Sequence, residues 1–361
     1  MPNKKDRIRG VYSEIAKYGL ALIVVLLIGA ALINVQGESP AVALEALWNG
    51  IFGNTAALGN AIRWITPCIF TGAAAMVAFR SGVTNLGIEG QLYSGALAAA
   101  LVGYFFKLPV GLHPLVCILI GGIVGMLIAA IPAVIKYYFN INEMITTLML
   151  NYIVALVAEY CVVVVKGIST TNFSKAMTTP PIQETAKLNA IIPRTNANSG
   201  IFLALTVICL LFIVYKYTVA GYEMKQVGDN PRFSLVGGVK VTRMYFAIFL
   251  TSGFIAGVAG AVEAVGVYGK YMPNSSDNIG WDGIMIALVA KNSPLSVLAV
   301  AILWGTLKSG ALTMELVTNT NRLTVELIQA LFVLFVTVNY KKIASAVGDA
   351  MKKLFGRVQK C

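Results

Sequence analysis

The chain has 361 residues, 57% hydrophobic and only 12% charged, whereas a water-soluble domain carries about 25% charged residues. With a mean hydropathy of +0.76, a soluble protein is excluded, because no aqueous core of this size hides so much apolar surface. The net charge of +12 would suggest nucleic acid in a soluble protein. Here the basic residues gather in a few loops and at the two ends, which is a pattern of membrane orientation and argues against a nucleic-acid partner.

The chain opens on MPNKKDRIRG followed by an apolar run over Leu20–Ile33. This resembles a signal peptide, but no small-x-small cleavage site precedes Asn34, so the segment is expected to remain as a first span. Lipid offers the backbone no hydrogen-bond partners, so each crossing needs roughly 17–25 apolar residues in a helix. Such runs fall at 18–35, 61–79, 86–106, 112–138, 144–165, 199–217, 244–268, 294–313 and 322–340. Gly280–Ala290 is apolar but too short to cross alone. With Asn292 and Pro294 behind it, it is expected to be a short or broken helix beside an internal path.

Lys and Arg set the orientation. Five lie ahead of residue 18, five within 216–243 and six after Tyr340; with Arg80, Lys136 and Lys291 these make 19 of the 28. That bias places both ends in the cytoplasm and predicts an even number of crossings, most simply ten with the short one included. The expectation is an all-α polytopic membrane protein: a cytoplasmic N-terminus over 1–17, a transmembrane domain over 18–340 and a basic cytoplasmic tail over 341–361. Residues 36–60 form an outer segment, either an interfacial helix or a plain connection. Residues 166–198, with Pro180, Pro181 and Pro193, form a second one that either receives an external partner or merely connects.

Chemistry-bearing motifs are few. No G-x-x-x-x-G-K-[ST] occurs, so the chain has no P-loop for ATP. Neither a Ser-His-Asp set nor HExxH is present; His113 is the single histidine, and the five cysteines have no metal-ligand spacing. The segment Ser81–Gly95 puts Asn85, Glu89 and Gln91 among four glycines at the start of a span. A carboxylate at a helix centre costs roughly 2.5–3.5 kcal/mol on insertion scales, so Glu89 either faces protein or water, or caps the helix start. In NEMITTLMLNY, Asn142 suits an N-cap and Asn151 lies two turns further in, for packing or for a path. Glu159, Glu263, Lys308 and Glu315 are open between pairing and path lining. Gly253, Gly257, Gly260 and Ala261 repeat at close-packing intervals and signal helix contact.

The longest basic interruption is KYTVAGYEMKQVGDNPRFSLVGGVKVTR, over 216–243. Asn230 as cap and Pro231 at the first helical position predict a short helix over Arg232–Val236, broken by Gly237–Gly238. Such a helix is either a knob for a cytosolic partner or a surface turn.

Taken together, Asn85-Leu86-Gly87-Ile88-Glu89-Gly90-Gln91, the NEMITTLMLNY run and the Ser252–Gly266 glycine series resemble permease subunits of ABC importers. The group is that of ribose-type sugars, branched-chain amino acids and nucleosides, and the resemblance covers roughly 60–340. NEMITTLMLNY, Asp282-Gly283 and Asn292-Ser293-Pro294-Leu295 are most similar to purine-nucleoside permeases served by a BMP-type lipoprotein. Phe233-Ser234 depart from the small alanines usual in the coupling region. The resemblance implies that Gly228, Asn230, Pro231, Arg232, Phe233, Ser234 and Gly237 form a coupling helix on a cytosolic ABC ATPase, which carries the ATP and Mg²⁺; this chain holds no cofactor or metal and is not itself an enzyme. It further implies a second, different permease subunit, an external substrate-binding lipoprotein and alternating access in a prokaryotic cell membrane. Asn85, Glu89, Gln91, Asn151, Glu263, Asp282 and Asn292 are then candidates for the translocation path. The competing expectations are a ribose-like sugar permease, an ion-coupled secondary transporter and a non-transporting membrane scaffold.

Overall fold

The computed structural model describes residues 23–25, 27–164, 178–273, 275–318, 321 and 323–337. The expected cytoplasmic N-terminus, the tail over 341–361 and the basic residues Lys166 and Lys175 lie outside these. Among the described residues the fold is helical throughout, with one isolated bridge pairing Ala190 and Asn198. Thirteen α-helices run in order: α1 Ile23–Val35, α2 Pro40–Phe52, α3 Thr55–Arg80, α4 Ile88–Phe105, α5 Leu112–Phe139, α6 Glu143–Val164, α7 Gly200–Tyr217, α8 Val219–Asp229, α9 Pro231–Val236, α10 Val241–Glu263, α11 Ile279–Val289, α12 Pro294–Val317 and α13 Leu323–Thr337. Six of them (α3, α5, α6, α7, α10 and α12) are long and apolar enough to cross a bilayer, and α1 with α2 makes a seventh if that bent pair is one span. The chain is therefore a multi-pass membrane protein. The run expected over 86–106 is the 18-residue α4, and α11 has 11 residues.

α3 is the central helix. It starts six residues ahead of the apolar run because the Asn54 side chain caps it, accepting from the Ala57 N–H at 2.8 Å. From Cys68 to Ala78 every side chain is buried, which a helix apolar all round requires. Its Gly72 lies against Ile286 of α11 and Val297 of α12.

α5 shows how one helix serves two environments. Leu115, Leu119, Ile123, Leu127 and Ile131 recur every four residues and are exposed, the stripe that would face lipid. Gly121, Gly125 and Ala129 line the other face and meet α10. A Cβ on Gly257 would stand 2.4 Å from the Gly121 carbonyl oxygen, and one on Gly253 2.3 Å from the Ala129 Cβ. Gly260 turns instead to α4, where a Cβ would fall on the Leu92 carbonyl oxygen, while the Ala261 methyl faces Gly121. In lipid, where helices gain little from hydrophobic exclusion, such backbone-to-backbone contact is what joins them.

α2 packs Ala43, Ala46, Gly50 and Ile51 inward, with Gly50 against Thr313 and Gly310 of α12. Segment 178–198 closes over the end of α10: Thr179, Ile182 and Leu188 donate their N–H groups to Tyr271, Gly269 and Val265.

Candidate functional site

The loop over 216–243 folds into α8 and α9. Thr218 caps α8 through the Gly221 N–H at 3.2 Å. The Asn230 side chain caps α9, accepting from the Phe233 N–H at 3.0 Å, with Pro231 at its first position. Ser234 is buried and donates to the Asn230 carbonyl at 2.9 Å. Arg232, Phe233, Leu235 and Val236 point away from the protein, with Phe233 64% exposed. The sequence indicates α9, whereas the amphipathic α8 carries no cap-and-proline signal of that kind and reads as loop.

α8 rests on the end of α3. A Cβ on Gly228 would lie 2.6 Å from the Arg80 carbonyl oxygen and 2.9 Å from the Ser81 Cα. Gly82 answers from the other side: its φ of +71 lies in the left-handed region, and its Cβ would come 2.9 Å from the Gly228 Cα. Arg80 donates Nη1 to the Asn292 carbonyl at 2.9 Å and lies over the Tyr215 ring at 4.7 Å. The end of α3, the knob and the far end of α11 thus meet at one place, and Asn292 contributes there through its backbone.

Beyond Gly82 the chain turns back into the protein without helix until Ile88. Buried amides hold this segment. Asn85 donates to Gln91 at 3.0 Å and to the Ser252 hydroxyl at 2.9 Å, and its own Oδ1 accepts from the Gly87 N–H at 2.9 Å. The Ser252 hydroxyl in turn donates to the Ala74 carbonyl at 2.8 Å. Asn151 of α6 clamps the segment from outside, donating to the Leu86 carbonyl at 2.7 Å and accepting from the Gly90 N–H at 2.8 Å. Asn85 and Asn151 therefore bond the backbone turn that starts α4, and Gln91 holds the Asn85 amide in place.

Glu89 stands in the first turn of α4, buried, facing the start of α11. Its Oε2 accepts from the Gly280 N–H at 2.6 Å; its Oε1 accepts from the Ser276 hydroxyl, which lies 2.9 Å from the Tyr93 hydroxyl. A Cβ on Gly280 would sit 2.7 Å from the Glu89 Cα, so only glycine permits this approach. Gly283, one turn on, meets Thr71 near the middle of α3. The 18-residue α4 and the short α11 thus both start at one carboxylate, and both N-termini favour negative charge there.

Two ion pairs lie beside it. Arg63 Nη2 is 2.9 Å from Glu263 Oε2 and 2.9 Å from the Tyr268 hydroxyl, with its guanidinium carbon 3.5 Å from the centre of the Trp64 ring. Lys308 Nζ is 2.7 Å from Asp282 Oδ2 and 2.6 Å from the Asp277 carbonyl oxygen. Glu263, Asp282 and Lys308 each have a partner of opposite charge, whereas Glu159 is half-buried and Glu315 exposed. Sequence reasoning missed Ser276, Tyr93 and Asp277 as partners and left Arg63 as one more outer cation. No local pattern announces them, since their partners are up to 200 residues away in sequence. Among the described residues, no three His, Cys, Asp or Glu are grouped as metal ligands would be.

Two helix starts around a buried polar centre, with the capped and exposed α9 carried on α8, suit a transport path with an external drive. The family described as branched-chain amino acid transport system / permease component matches residues 57–337. This chain belongs to that permease family. Among its relatives, the guanosine ABC transporter permease protein NupP of Bacillus subtilis is 34% identical over 92% of this chain and 96% of its own length. The nucleoside ABC transporter permease protein NupB of Lactococcus lactis is 27% identical over 81% of this chain and 82% of its own. The glucose ABC transporter permease protein TsgB13 of Haloferax volcanii is 30% identical over 79% and 76%. No solved structure matches. Members of such a family are transport components and not enzymes.

Proposed function

We propose that this chain is the membrane subunit of an ATP-driven importer of nucleosides. The observation that carries the drive is the exposed, capped α9, which follows directly on the last turn of α8, where Gly228 is wedged against the turn that leads from α3 into α4. A cytosolic ABC ATPase, holding the ATP and Mg²⁺, docks on Arg232, Phe233 and their neighbours. Asn230 and Pro231 keep the helix rigid, and Gly237 ends it. Movement of α9 then reaches the Arg80–Gly82 turn through the last turn of α8, where the Gly228 backbone touches it.

In this reading Glu89 and Asp282 line the path, with Glu263 at its outer side and Asn292 at the cytoplasmic seam. Asn85, Gln91 and Asn151 shape the path by holding the start of α4. A second, different permease chain completes the pore, an external lipoprotein delivers substrate, and both chain ends are cytoplasmic, with about ten crossings once α4, α11 and α13 are included, in the cell membrane of a prokaryote. ATP drives alternation because it binds the two arrangements with different affinity. The substrate class rests on the names of NupP and NupB. A sugar is the second reading, favoured by the likeness to a glucose permease.

The test is uptake of radiolabelled guanosine and of glucose by cells with and without the intact chain, alongside a mild-detergent pull-down compared with Arg232→Glu/Phe233→Ala. Guanosine uptake that needs the chain, with an ATPase recovered by wild type and lost in the double variant, is the expected result. Glucose uptake alone selects the sugar reading, and a preserved complex containing no ATPase overturns the importer.

A further inference from the structure

A cleft of about 470 Å³ opens between α11, α12 and α13, next to the Lys308–Asp282 pair. Its volume lies within the ~300–1,000 Å³ of small-molecule sites. Two features separate it from an ordinary gap between helices. Trp304 and Gln329 line it and are each at least nine-tenths buried, and the Trp304 Nε1–H and the Gln329 side-chain nitrogen lie shielded just behind its wall with no hydrogen-bond partner. Such groups in a buried setting are costly to leave unmade. The cleft also combines two indoles, Trp281 and Trp304, with the carboxylates of Asp277 and Asp282 and the ammonium of Lys308.

We infer that this cleft is a nucleoside-binding subsite on the membrane chain itself. The inference rests on the nucleoside reading above and adds where, and by what chemistry, the permease meets its cargo. A purine nucleoside has a flat aromatic base rimmed by acceptors and a ribose carrying donor hydroxyls. The half-buried Trp281 offers a ring face to the base. The unpartnered Trp304 N–H and Gln329 amide are the donors that a small turn of either side chain brings to ring nitrogen or carbonyl acceptors, with Met285 and Leu327 as apolar walls. Asp277 and Asp282 accept from ribose hydroxyls, and Lys308 keeps these carboxylates compensated when the cleft is empty. A free sugar would leave the indoles unused. A site that must hydrogen-bond its ligand to be satisfied rejects analogues lacking acceptors.

The test is photolabelling of the intact importer in native membranes with 8-azidoguanosine, mapped by mass spectrometry, beside uptake of guanosine in the same cells. Label is expected on peptides covering 279–289 or 323–330, displaced by guanosine and not by ribose. Trp304→Phe keeps the ring and removes the donor, and Gln329→Leu keeps the volume. Each should raise the guanosine concentration that halves the labelling by about two- to ten-fold, as expected for loss of one hydrogen bond. Guanosine uptake with no label on these peptides, or labelling indifferent to both variants, overturns the subsite and leaves the nucleoside reading standing. A wild-type importer that takes up no nucleoside overturns both. Displacement by lipid analogues and not by guanosine shows the cleft to be a lipid groove and overturns the subsite alone.

Discussion

Replacing Gly228 by alanine probes the proposed transmission with a single methyl group. The added Cβ would lie 2.6 Å from the Arg80 carbonyl oxygen and 2.8 Å from the Ser81 carbonyl carbon, where ordinary contact begins at 3.4 Å. All these atoms are backbone, so α8 must retreat by about 0.8 Å, since no side chain can turn aside. Overpacking of this kind costs about 1–3 kcal/mol, which amounts to roughly 5–150-fold in the equilibrium between docked and undocked arrangements. Gly237→Ala is the control from the same loop: its nearest contact would be the Ser234 carbonyl oxygen at an ordinary 3.4 Å, and its φ of −73 suits alanine. The assay is the reconstituted importer in proteoliposomes, with guanosine uptake and ATP hydrolysis measured on the same sample. Gly228→Ala should lower the nucleoside moved per ATP by at least about five-fold while hydrolysis persists, and Gly237→Ala should change neither. A wild-type ratio in Gly228→Ala, or an equal loss in Gly237→Ala, refutes the argument that the backbone contact transmits motion.

Three further outcomes follow from the same geometry. Asn230→Ala removes the cap on α9, worth about 0.5–2 kcal/mol, and should weaken recovery of the ATPase in a pull-down while leaving the membrane helices folded. Arg63→Met or Glu263→Gln alone leaves one buried charge uncompensated at a cost of about 3–5 kcal/mol. Each should lower the unfolding temperature in detergent, read with a thiol-reactive dye on the buried Cys68 and Cys117, and an apolar pair at both positions should recover most of the loss. Asn151→Leu strands the Leu86 carbonyl and the Gly90 N–H, at about 1–3 kcal/mol for each unmade bond; amide exchange should rise over 86–91 and stay unchanged in α12.

What the sequence made legible follows a physical line. Apolar runs were readable because the bilayer demands length, so α5, α6, α7 and α12 lie within a few residues of their expected bounds. The α9 cap was readable because Asn-Pro fixes local geometry by itself. The glycine series of α10 announced close packing but not its partners, since both α4 and α5 answer it. The centre was hidden for another reason. Glu89 reads as a cap for its own helix, yet the N–H it accepts belongs to Gly280, 191 residues later. Asn85, Gln91 and Asn151 read as path candidates because polar residues in lipid must meet something, and in the structure Asn85 and Asn151 meet the backbone that starts α4 while Gln91 meets Asn85.

That distinction bears on where the protein can move. The amides join the loop and the first turn of α4 to α6 by the two Asn151 bonds and to α10 by one from Asn85 to Ser252, and Gly260 packs α10 on α4, so loop, α4 and α10 shift together. Across to α11 the bonds from α4 run chiefly through Glu89, to Gly280 and Ser276, with the Tyr93 hydroxyl also meeting Ser276. A seam held by one carboxylate between two helix starts is strong when closed, because charge meets aligned N–H groups. It is also easily satisfied when open, because a carboxylate and free N–H groups are the groups water solvates best, or that a polar cargo replaces. An alternating path needs such a joint, closed by bonds that the substrate or its water can take over, and the cleft beside Lys308 lies on the α11 side of it.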